Sequence, residues 1–265
     1  MSPTLTLTTD FGTRDAYVAA MKGTILGINP SVRMVDITHS ITPQDVMEAA
    51  FVLKGAVPFF PKGTVHLVVV DPGVGTSRRA IALKAHGHWF VGPDNGVFTL
   101  LLNGSAPDEI VVLDRPEYWR IPEPSMTFHG RDLFAPVAAH LLAGRTLAEV
   151  GSPIEAMAPL HWALPIIDEQ GVRGWVVHID RFGNCITNIT RSAFEEARRG
   201  RPLKCFAGNT TLNQILNTYA DTATGEPLLL FGSDDFLEIA IHAGNAAELL
   251  SIRKGAPVNI VFVDK

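Results

Sequence analysis

Three acidic residues stand at the ends of stretches that are predicted to form β-strands: Asp10, Asp36 and Asp71. In open α/β sheets the ligand crevice lies outside the carboxyl ends of the strands, so these carboxylates are candidates for a binding site. An acid at such a position also commonly forms a local turn, which is the alternative for each residue taken alone. A glycine follows closely after Asp10 and Asp71, which favours a site. Asp10 is suited to accept hydrogen bonds from sugar hydroxyls.

The loop after the third strand, residues 71–79, reads DPGVGTSRR and combines a carboxylate, two glycines and two arginines. Gly73 and Gly75 allow the backbone to approach a ligand closely or to adopt positive φ. The loop matches neither the P-loop pattern nor GxGxxG. From composition alone, a solvated loop that carries Arg78 and Arg79 remains the leading interpretation.

Two histidines stand among polar or turn-forming residues. His39 lies in the segment THSITP, where a local capping role is expected. His129 lies in TFHGRD just before a predicted helix, a position compatible with catalysis or with ordinary packing. His86 and His88 form an HxH pair in a hairpin expected to be exposed, and the chain has no HxxxH or DxD spacing around the acids. We therefore expect no metal site.

A second group of polar and aromatic residues lies in the C-terminal part. Residues 180–189, DRFGNCITNI, place Asp180, Phe182 and Asn184 around a glycine. An aromatic face with amide hydrogen bonds suits a purine base, and a carboxylate suits an ammonium group. A plain β-hairpin turn at Gly183 is the equal alternative. Residues 231–250 supply Ser233 and a further loop at residues 243–245.

The elements that would position these residues fall into two classes along the chain. Up to about residue 160, strands alternate with helices, which indicates an α/β layered domain. The sequence predicts strands at residues 4–9, 32–37, 64–70, 80–85 and 88–92, and helices at residues 15–26 with a Thr13 cap, 43–57, 94–103 and 130–142. The run 64–70 is nearly all apolar, as expected for a strand buried on both faces of a parallel sheet.

A change of composition near residues 158–171 predicts a linker between two domains, residues 1–163 and residues 172–265. The second part is rich in short strands with Gly and Asn between them, which indicates a small barrel or sandwich. The predicted strands are residues 172–180, 185–189, 202–207, 227–231, 237–241 and 258–263, and the predicted helices are residues 191–199 and 212–219.

Composition limits the classes of function. Of 265 residues, 46% are hydrophobic and 18% are charged, which excludes a disordered chain. The net charge of −5, with no basic cluster, disfavours a nucleic-acid partner. The two cysteines, Cys185 and Cys205, are expected to be reduced. With no membrane-spanning apolar run and no signal-like N-terminus, we expect no membrane association and a cytoplasmic location.

Six motifs in order along the chain resemble the S-adenosylmethionine (SAM) hydroxide adenosyltransferase family, the adenosine-forming SAM hydrolases related to fluorinase and chlorinase. The motifs are residues 9–12 (TDFG), 36–39 (DITH), 71–76 (DPGVGT), 92–96 (GPDNG), 127–132 (TFHGRD) and 180–188 (DRFGNCITN). The resemblance implies an N-terminal α/β domain and a C-terminal β-barrel. It also implies a homotrimer whose substrate lies between neighbouring subunits, with no cofactor.

The resemblance further implies roles for individual residues. Asp71, Arg78 and His129 match the set that handles the attacking water, with either Asp71 or His129 as the base. Asp10 would bind the ribose and Asp180 the ammonium group of the methionine moiety. Phe182 and Asn184 would meet the adenine, and Ser233 would contact the carboxylate. The products would be adenosine and L-methionine.

Three alternatives remain at this stage. The related halogenases carry Tyr where Asp71 stands, and the fluorinase carries Ser where Gly130 stands, so the hydrolase is favoured; a carboxylate would also repel a halide ion. A non-catalytic sensor of SAM or adenosine would use Asp10, Asp180 and Asn184 and would not need Asp71, Arg78 and His129 together. A metal-dependent phosphoester hydrolase would use the acids as ligands.

Overall fold

The structure is a computed structural model that describes residues 3–102, 104–160 and 164–263. The chain divides into two compact units, Met1–Leu160 and His161–Lys265. Residues 161–163, which belong to the predicted linker, lie outside the described residues. The expected domain limits at residues 163 and 172 stay predictions.

The first unit is built on a seven-stranded sheet with the order β2-β1-β3-β5-β4-β6-β7, in which β2, β1, β3 and β5 are parallel. The strands are β1 (Thr4–Thr9), β2 (Arg33–Thr38), β3 (Val65–Val69), β4 (Ala80–Ala85), β5 (His88–Pro93), β6 (Glu109–Val112) and β7 (Ser152–Pro153). The predicted largely parallel α/β domain is confirmed.

Helices cover both faces of this sheet. They are α1 (Tyr17–Ile28), α2 (Val46–Ala56), α3 (Thr99–Leu102), α4 (Ala135–Leu142) and α5 (Leu147–Val150), with single 3₁₀ turns at Val57–Phe59 and Pro116–Tyr118. Leu67 packs in one core with α1 and α4, whereas its neighbour Val68 packs in the other with α2 and α3. This alternation explains why β3 is apolar along its whole length.

The chain order creates a crevice at the carboxyl edge of the sheet. From β1 the chain moves outward to β2 and then crosses back to β3 on the other side of β1. Such a reversal leaves a gap between the loops after β1 and β3, where ligands of open α/β sheets bind. Asp10 follows β1 and Asp71 follows β3, so the topology brings these two acids to the same crevice.

The second unit is an antiparallel, nearly closed barrel. Its path is β12-β11-β15-β9-β10-β14-β13, with β8 added beside β9, and the end strands β12 and β13 contact each other. The strands are β8 (Ile166–Ile167), β9 (Gly171–Ile179), β10 (Cys185–Thr190), β11 (Leu203–Ala207), β12 (Thr210–Leu212), β13 (Pro227–Phe231), β14 (Phe236–Ile241) and β15 (Pro257–Phe262). Two helices, α6 (Arg191–Arg198) and α7 (Ala246–Leu249), and a 3₁₀ turn at Tyr219–Asp221 complete it.

Several predicted helices differ from the observed ones. α1 begins after Ala16 without a side-chain cap, so the Thr13 cap is wrong. α2 begins later than predicted, because Gln44 has a φ of 68° and the Asp45 side chain accepts from the Glu48 amide as the cap. The predicted helix 94–103 is reduced to α3, since Gly96 turns the chain with a φ of 90°; Asn103 lies outside the described residues.

The predicted helix 212–219 is wrong. Residues 210–212 instead pair with β11 as β12, and Leu216 forms a bridge with Leu230 of β13. The predicted helix 130–142 starts with a π-helical turn, Gly130–Phe134, before it continues as α4. The segments β6, β7 and α5 were not predicted, because they are short and their apolar positions follow no extended period.

Candidate active site

Two of the three acids predicted at strand ends line one cavity of about 370 Å³ in the first unit. His129, Gly130 and Gln44 line the same cavity as Asp10 and Asp71. The cavity lies at the crevice that the strand order predicts. The structure thus brings Asp10, Asp71 and His129 to one cavity.

Asp71 is held by Arg78 from the same loop. The Nε atom of Arg78 lies 2.9 Å from Oδ1 and 3.0 Å from Oδ2 of Asp71, and Nη2 also donates to Oδ2. Both side chains are nearly buried, at 5% and 10% exposure. A two-pronged contact of this kind fixes the plane of the carboxylate while leaving some of its lone pairs free to accept.

His129 joins this pair through Arg78. The Nη2 atom of Arg78 lies 2.7 Å from Nδ1 of His129. Because a guanidinium can only donate, Nδ1 must accept, and a neutral His129 then carries its proton on Nε2. Burial lowers the pKa of His129, and the charge of Arg78 lowers it further, against a smaller raising effect from Asp71 and Asp132. The neutral form of the ring is therefore favoured.

The 71–79 loop is shaped by local bonds and by one glycine. Thr76 Oγ1 donates to the carbonyl of Gly73 at 2.7 Å, and the Val74 amide donates to the Asp71 carbonyl at 3.2 Å. Gly75 has a φ of 76°, and a Cβ there would overlap the Met126 carbonyl. The loop thus lies directly against the segment that carries His129, which explains why Arg78 reaches it.

The segment around His129 is anchored by a buried carboxylate. Asp132 is fully buried and accepts from Arg131 Nε at 2.6 Å, from Arg120 Nε and from the Ser125 amide at 3.0 Å. Burial alone would raise the pKa of Asp132, but the hydrogen bonds from Arg131, Arg120 and Ser125 outweigh it and hold that pKa well below its usual range. Asp132 therefore stays ionised and ties residues 120–132 together.

Asp10 and a group of aromatic rings form the rest of the cavity. Oδ2 of Asp10 accepts from the Gln44 amide at 2.8 Å. Phe11, Tyr17 and Phe128 contact one another with ring centroids 5.1 to 5.9 Å apart and line the same space. The cavity therefore combines an apolar wall with carboxylates at Asp10 and Asp71.

Asp36, the third acid predicted at a strand end, lies instead within β2 and is not among the residues that line this cavity. It binds Lys22 Nζ at 2.6 Å, and its Oδ1 lies 3.1 Å from Nε2 of His39. The local capping role predicted for His39 is not seen; its ring is buried, with Nδ1 2.8 Å from the Thr9 hydroxyl. These contacts link Thr9, the last residue of β1, through His39 to Asp36 of β2.

The C-terminal candidates meet at a separate cavity of about 620 Å³ in the second unit. Asp180, Phe182 and Asn184 all line it. Oδ1 of Asp180 accepts from the amides of Phe182 at 2.8 Å and Asn184 at 2.9 Å, and Oδ2 accepts from Asn184 Nδ2 at 3.0 Å. These bonds form a tight turn in which Phe182 lines the cavity and is 76% exposed.

Ser233 lies elsewhere in this unit, in the exposed turn between β13 and β14, and is not among the residues that line the 620 Å³ cavity. The loop at residues 243–245, which the sequence singled out, does line it, whereas Tyr219 also lines it and was missed from the sequence. The signal for Tyr219 was the Thr218-x-x-Asp221 capping box, which marks a helical start just before it. A larger groove of about 750 Å³ near Arg199 and Arg201 contains none of the predicted residues.

Other titratable groups are buried away from both cavities. His88 is buried, not exposed as predicted, because it faces His66 across β3 and β5 with a 3.3 Å ring-nitrogen contact. Cys185 and Cys205 are free thiols, and burial raises the pKa of each to about 12. Within the described residues, no three His, Cys, Asp or Glu side chains are grouped as a metal site would need.

None of the helices in the described part of the chain combines the length and the apolar character needed to cross a membrane.

The arrangement in the first unit is suited to hold one water molecule. A carboxylate with free lone pairs, a fixed guanidinium and a neutral imidazole meet at a nearly buried edge of the cavity. Such a set can orient a water and accept a proton from it.

Nearly the whole chain is similar to two enzymes and to one solved structure. A (R)-S-adenosyl-L-methionine hydrolase from Thermus thermophilus is 38% identical, with 95% of this chain and 97% of that protein covered. A fluorinase from Actinoplanes sp. is 30% identical, with 98% and 97% covered. The crystal structure of an uncharacterized conserved protein from Thermotoga maritima matches with a TM-score of 0.87 and 38% identity over 97% of this chain and 99% of that one.

Family models give the same assignment for both units. Residues 5–151 match the N-terminal domain of SAM hydroxide adenosyltransferase, and residues 174–259 match its C-terminal domain. The chain therefore belongs to the SAM hydroxide adenosyltransferase family.

Proposed function

We propose that this chain hydrolyses S-adenosyl-L-methionine to adenosine and L-methionine. The observation that carries the proposal is the contact of Arg78 with both Asp71 and His129 at the edge of the cavity that Asp10 lines. This set supplies what the reaction needs, a held water beside a site for a sugar. The similarity to named hydrolases over nearly the whole chain supports the same function.

The difficulty of this reaction lies in the nucleophile. The sulfonium is already a good leaving group, so no acid is needed to protonate it. The water oxygen attacks the ribose C5′, the C5′–S bond breaks with its electron pair moving to sulfur, and methionine leaves as a neutral thioether. One proton is lost from the water. Orientation of that water in line with the C5′–S bond supplies much of the rate.

Asp71 is the proposed proton acceptor. Nδ1 of His129 is occupied by the Arg78 donor, and in the neutral ring Nε2 already carries a proton, so His129 is poised to donate a hydrogen bond. The Asp71 carboxylate retains lone pairs after its contacts with Arg78. Arg78 holds the carboxylate and would stabilise hydroxide character in the water through its fixed donors.

The remaining predicted residues are proposed as substrate contacts. Asp10 would accept from the ribose hydroxyls beside the held water. Phe182 and Asn184 would contact the adenine, and Asp180 the ammonium group of the methionine moiety. For Ser233 a contact with the substrate carboxylate is proposed from the family resemblance alone.

A homotrimer is proposed as the active assembly, with each substrate bound between neighbouring subunits. Light scattering of the purified protein tests this. A monomer with full activity would refute it.

The proposed reaction uses no metal or organic cofactor and takes place in the cytoplasm. Activity that disappears on treatment with EDTA and returns with a divalent metal would contradict the metal-independent route. Recovery of the protein outside the cytosolic fraction of its own cells would contradict the location.

The decisive experiment incubates purified protein with SAM and follows adenosine and methionine by chromatography. Because the Thermus thermophilus relative is named for the (R) form, we propose that form as the substrate and include the (S) form as a comparison. In ¹⁸O-labelled water the label should appear in adenosine. Tight binding without adenosine would instead indicate a sensor.

A parallel reaction with fluoride or chloride tests for halogenase activity, which the fluorinase relative makes a relevant control. We expect adenosine as the product with or without halide, because the Asp71 carboxylate disfavours an anion at the position of the nucleophile.

A further inference from the structure

Tyr219 lines the 620 Å³ cavity of the second unit and is anchored by its hydroxyl. It is 41% exposed and lines the same space as Asp180, Phe182 and Asn184. Its hydroxyl donates to Oε1 of Glu238 at 2.6 Å. A tyrosine placed only for packing buries its ring, whereas here the tip is anchored and the ring stays open to the cavity.

Glu238 is a carboxylate in surroundings that favour an apolar residue. It lies in the middle of β14, 5% exposed, directly opposite Leu230 of β13 and Ile186 of β10. Leu230 packs with Leu228, Ala240 and Leu216 in a small apolar cluster. A carboxylate beside such a cluster costs free energy unless it is hydrogen-bonded.

The space and the charge around Glu238 agree with a specific role. Gly232 leaves room for the carboxylate, because a Cβ there would lie 2.8 Å from Oε2 of Glu238. Burial raises the pKa of Glu238, and the nearby Asp180 raises it further, although the Tyr219 hydrogen bond acts in the opposite direction. The fold thus retains a buried acid whose side chain reaches the aromatic wall of the cavity.

The backbone that carries Tyr219 is fixed independently. The Thr218 hydroxyl accepts from the Ala220 amide at 3.2 Å, and Asp221 Oδ2 accepts from the amides of Asn217 and Thr218 at 2.9 and 3.1 Å. With this turn holding one end of the side chain and Glu238 holding the other, the ring has little freedom to rotate.

We propose that Glu238 is a positioning residue that acts through Tyr219, holding its ring as a rigid wall of the nucleoside-binding cavity. The identity of the ligand as the nucleoside part of SAM rests on the proposed function. The positioning itself rests on the contacts of Glu238 and Tyr219. A wall fixed before the ligand arrives lowers the entropy cost of binding, so the effect belongs to affinity.

Three variants test this. Glu238→Leu removes the acceptor in a largely apolar environment, Tyr219→Phe removes the donor, and Glu238→Gln keeps an acceptor oxygen without the charge. We expect the first two to raise KM for SAM roughly fivefold with little change in kcat, as loss of about one hydrogen bond would do. Glu238→Gln should restore KM most of the way, and the double variant Tyr219→Phe, Glu238→Leu should be no worse than either single one.

A second measurement keeps the inference separate from the proposed function. Calorimetric binding of adenosine needs no turnover, and Glu238→Leu should weaken it by the same factor, while Glu195→Gln on the exposed face of α6 should leave it unchanged. If the wild type binds adenosine but does not hydrolyse SAM, the proposed function fails and this inference stands. Unchanged adenosine affinity in folded Glu238→Leu, or equal losses in the Leu and Gln variants, would overturn it.

Discussion

Arg78 Nη2 lies 2.7 Å from His129 Nδ1, and the two residues are 51 positions apart in the sequence. Since the guanidinium is always a donor, this contact exists only while Nδ1 is unprotonated. Protonation of the ring would place two N–H groups against each other. The charge state of His129 is therefore coupled to the geometry of Arg78 and, through it, to Asp71.

The first prediction concerns the pH dependence of turnover. Because burial and then the charge of Arg78 lower the pKa of His129, the ring should stay neutral below its ordinary pKa of about 6.5. We expect kcat/KM to fall as the pH drops through this lowered pKa, with the midpoint of the acid limb below 6.5. His129→Gln should be slower and should lack this limb. A midpoint above 6.5 that disappears in the same variant would contradict the coupling.

The second prediction concerns Asp71. Asp71→Asn keeps the shape and one oxygen but removes the charge, so kcat should fall ~100-fold or more with KM little changed. Steady-state kinetics of adenosine release measure both constants. Arg78→Ala and His129→Ala should likewise reduce kcat more than they weaken substrate binding.

Asp36→Asn is the matched control for Asp71→Asn, because Asp36 also lies on the parallel sheet, within β2, but is bound to Lys22 outside the cavity. It should change kcat far less. Equal losses in the two variants would remove the special role of Asp71.

The contrast between Asp36 and Asp71 marks the limit of the sequence interpretation. The pattern of a strand ending in an acid predicted the place of Asp71 after β3, because it depends only on local periodicity, but Asp36 lies inside β2 and not at its end. Which of them faces the crevice depends on the strand order β2-β1-β3, with β2 at the sheet edge, and on Lys22 of α1. The strand order and the contact with Lys22 are features of the tertiary structure that no local sequence pattern predicts.

Contacts between segments that are distant in the sequence could not be predicted for the same reason. The resemblance grouped Asp71, Arg78 and His129 as functional residues, but only the structure gives the donor that fixes the tautomer of His129. Tyr219 was predicted within a helix, because residues 212–219 have apolar positions at roughly helical spacing. The pairing of β12 with β11 overrides that weak local preference.

The third prediction concerns Gly75. Gly75→Ala would force a Cβ into the Met126 carbonyl at a φ of 76°, so the 71–79 loop or the segment before His129 must shift. We expect a loss of kcat of at least tenfold, because a small displacement of Arg78 from His129 disturbs the held water. The unfolding temperature should also fall.

Gly73→Ala is the control in the same loop. Its added Cβ would meet Arg78 Cγ at 3.1 Å, a milder contact than the one between a Gly75 Cβ and the Met126 carbonyl, and Gly73 does not have a positive φ. This variant should retain more activity than Gly75→Ala. The reverse order would show that the backbone conformation of Gly75 does not matter for the site.

The fourth prediction concerns stability in acid. His66 is fully buried, with Nδ1 2.8 Å from the Thr6 hydroxyl and its ring stacked on Phe90 at 5.1 Å. Burial, followed by the neighbouring His88, lowers the pKa of His66 to about 3. In the unfolded chain the same residue takes up a proton near pH 6.5.

Between about pH 6.5 and 3 the unfolded state therefore binds a proton at His66 that the folded state does not, so stability falls as the pH falls. At pH 5 this amounts to roughly 2 kcal/mol, from about 1.4 kcal/mol for each pH unit below 6.5.

His66→Gln removes the titration while keeping a polar partner for Thr6. Urea unfolding at pH 7.5 and 5.0 should show a difference in unfolding free energy that is smaller by about this amount in the variant. His86→Gln, on the exposed end of the β4–β5 hairpin, should keep the wild-type difference. If His66→Gln and His86→Gln behave alike, the buried ring is not the group that destabilises the fold in acid.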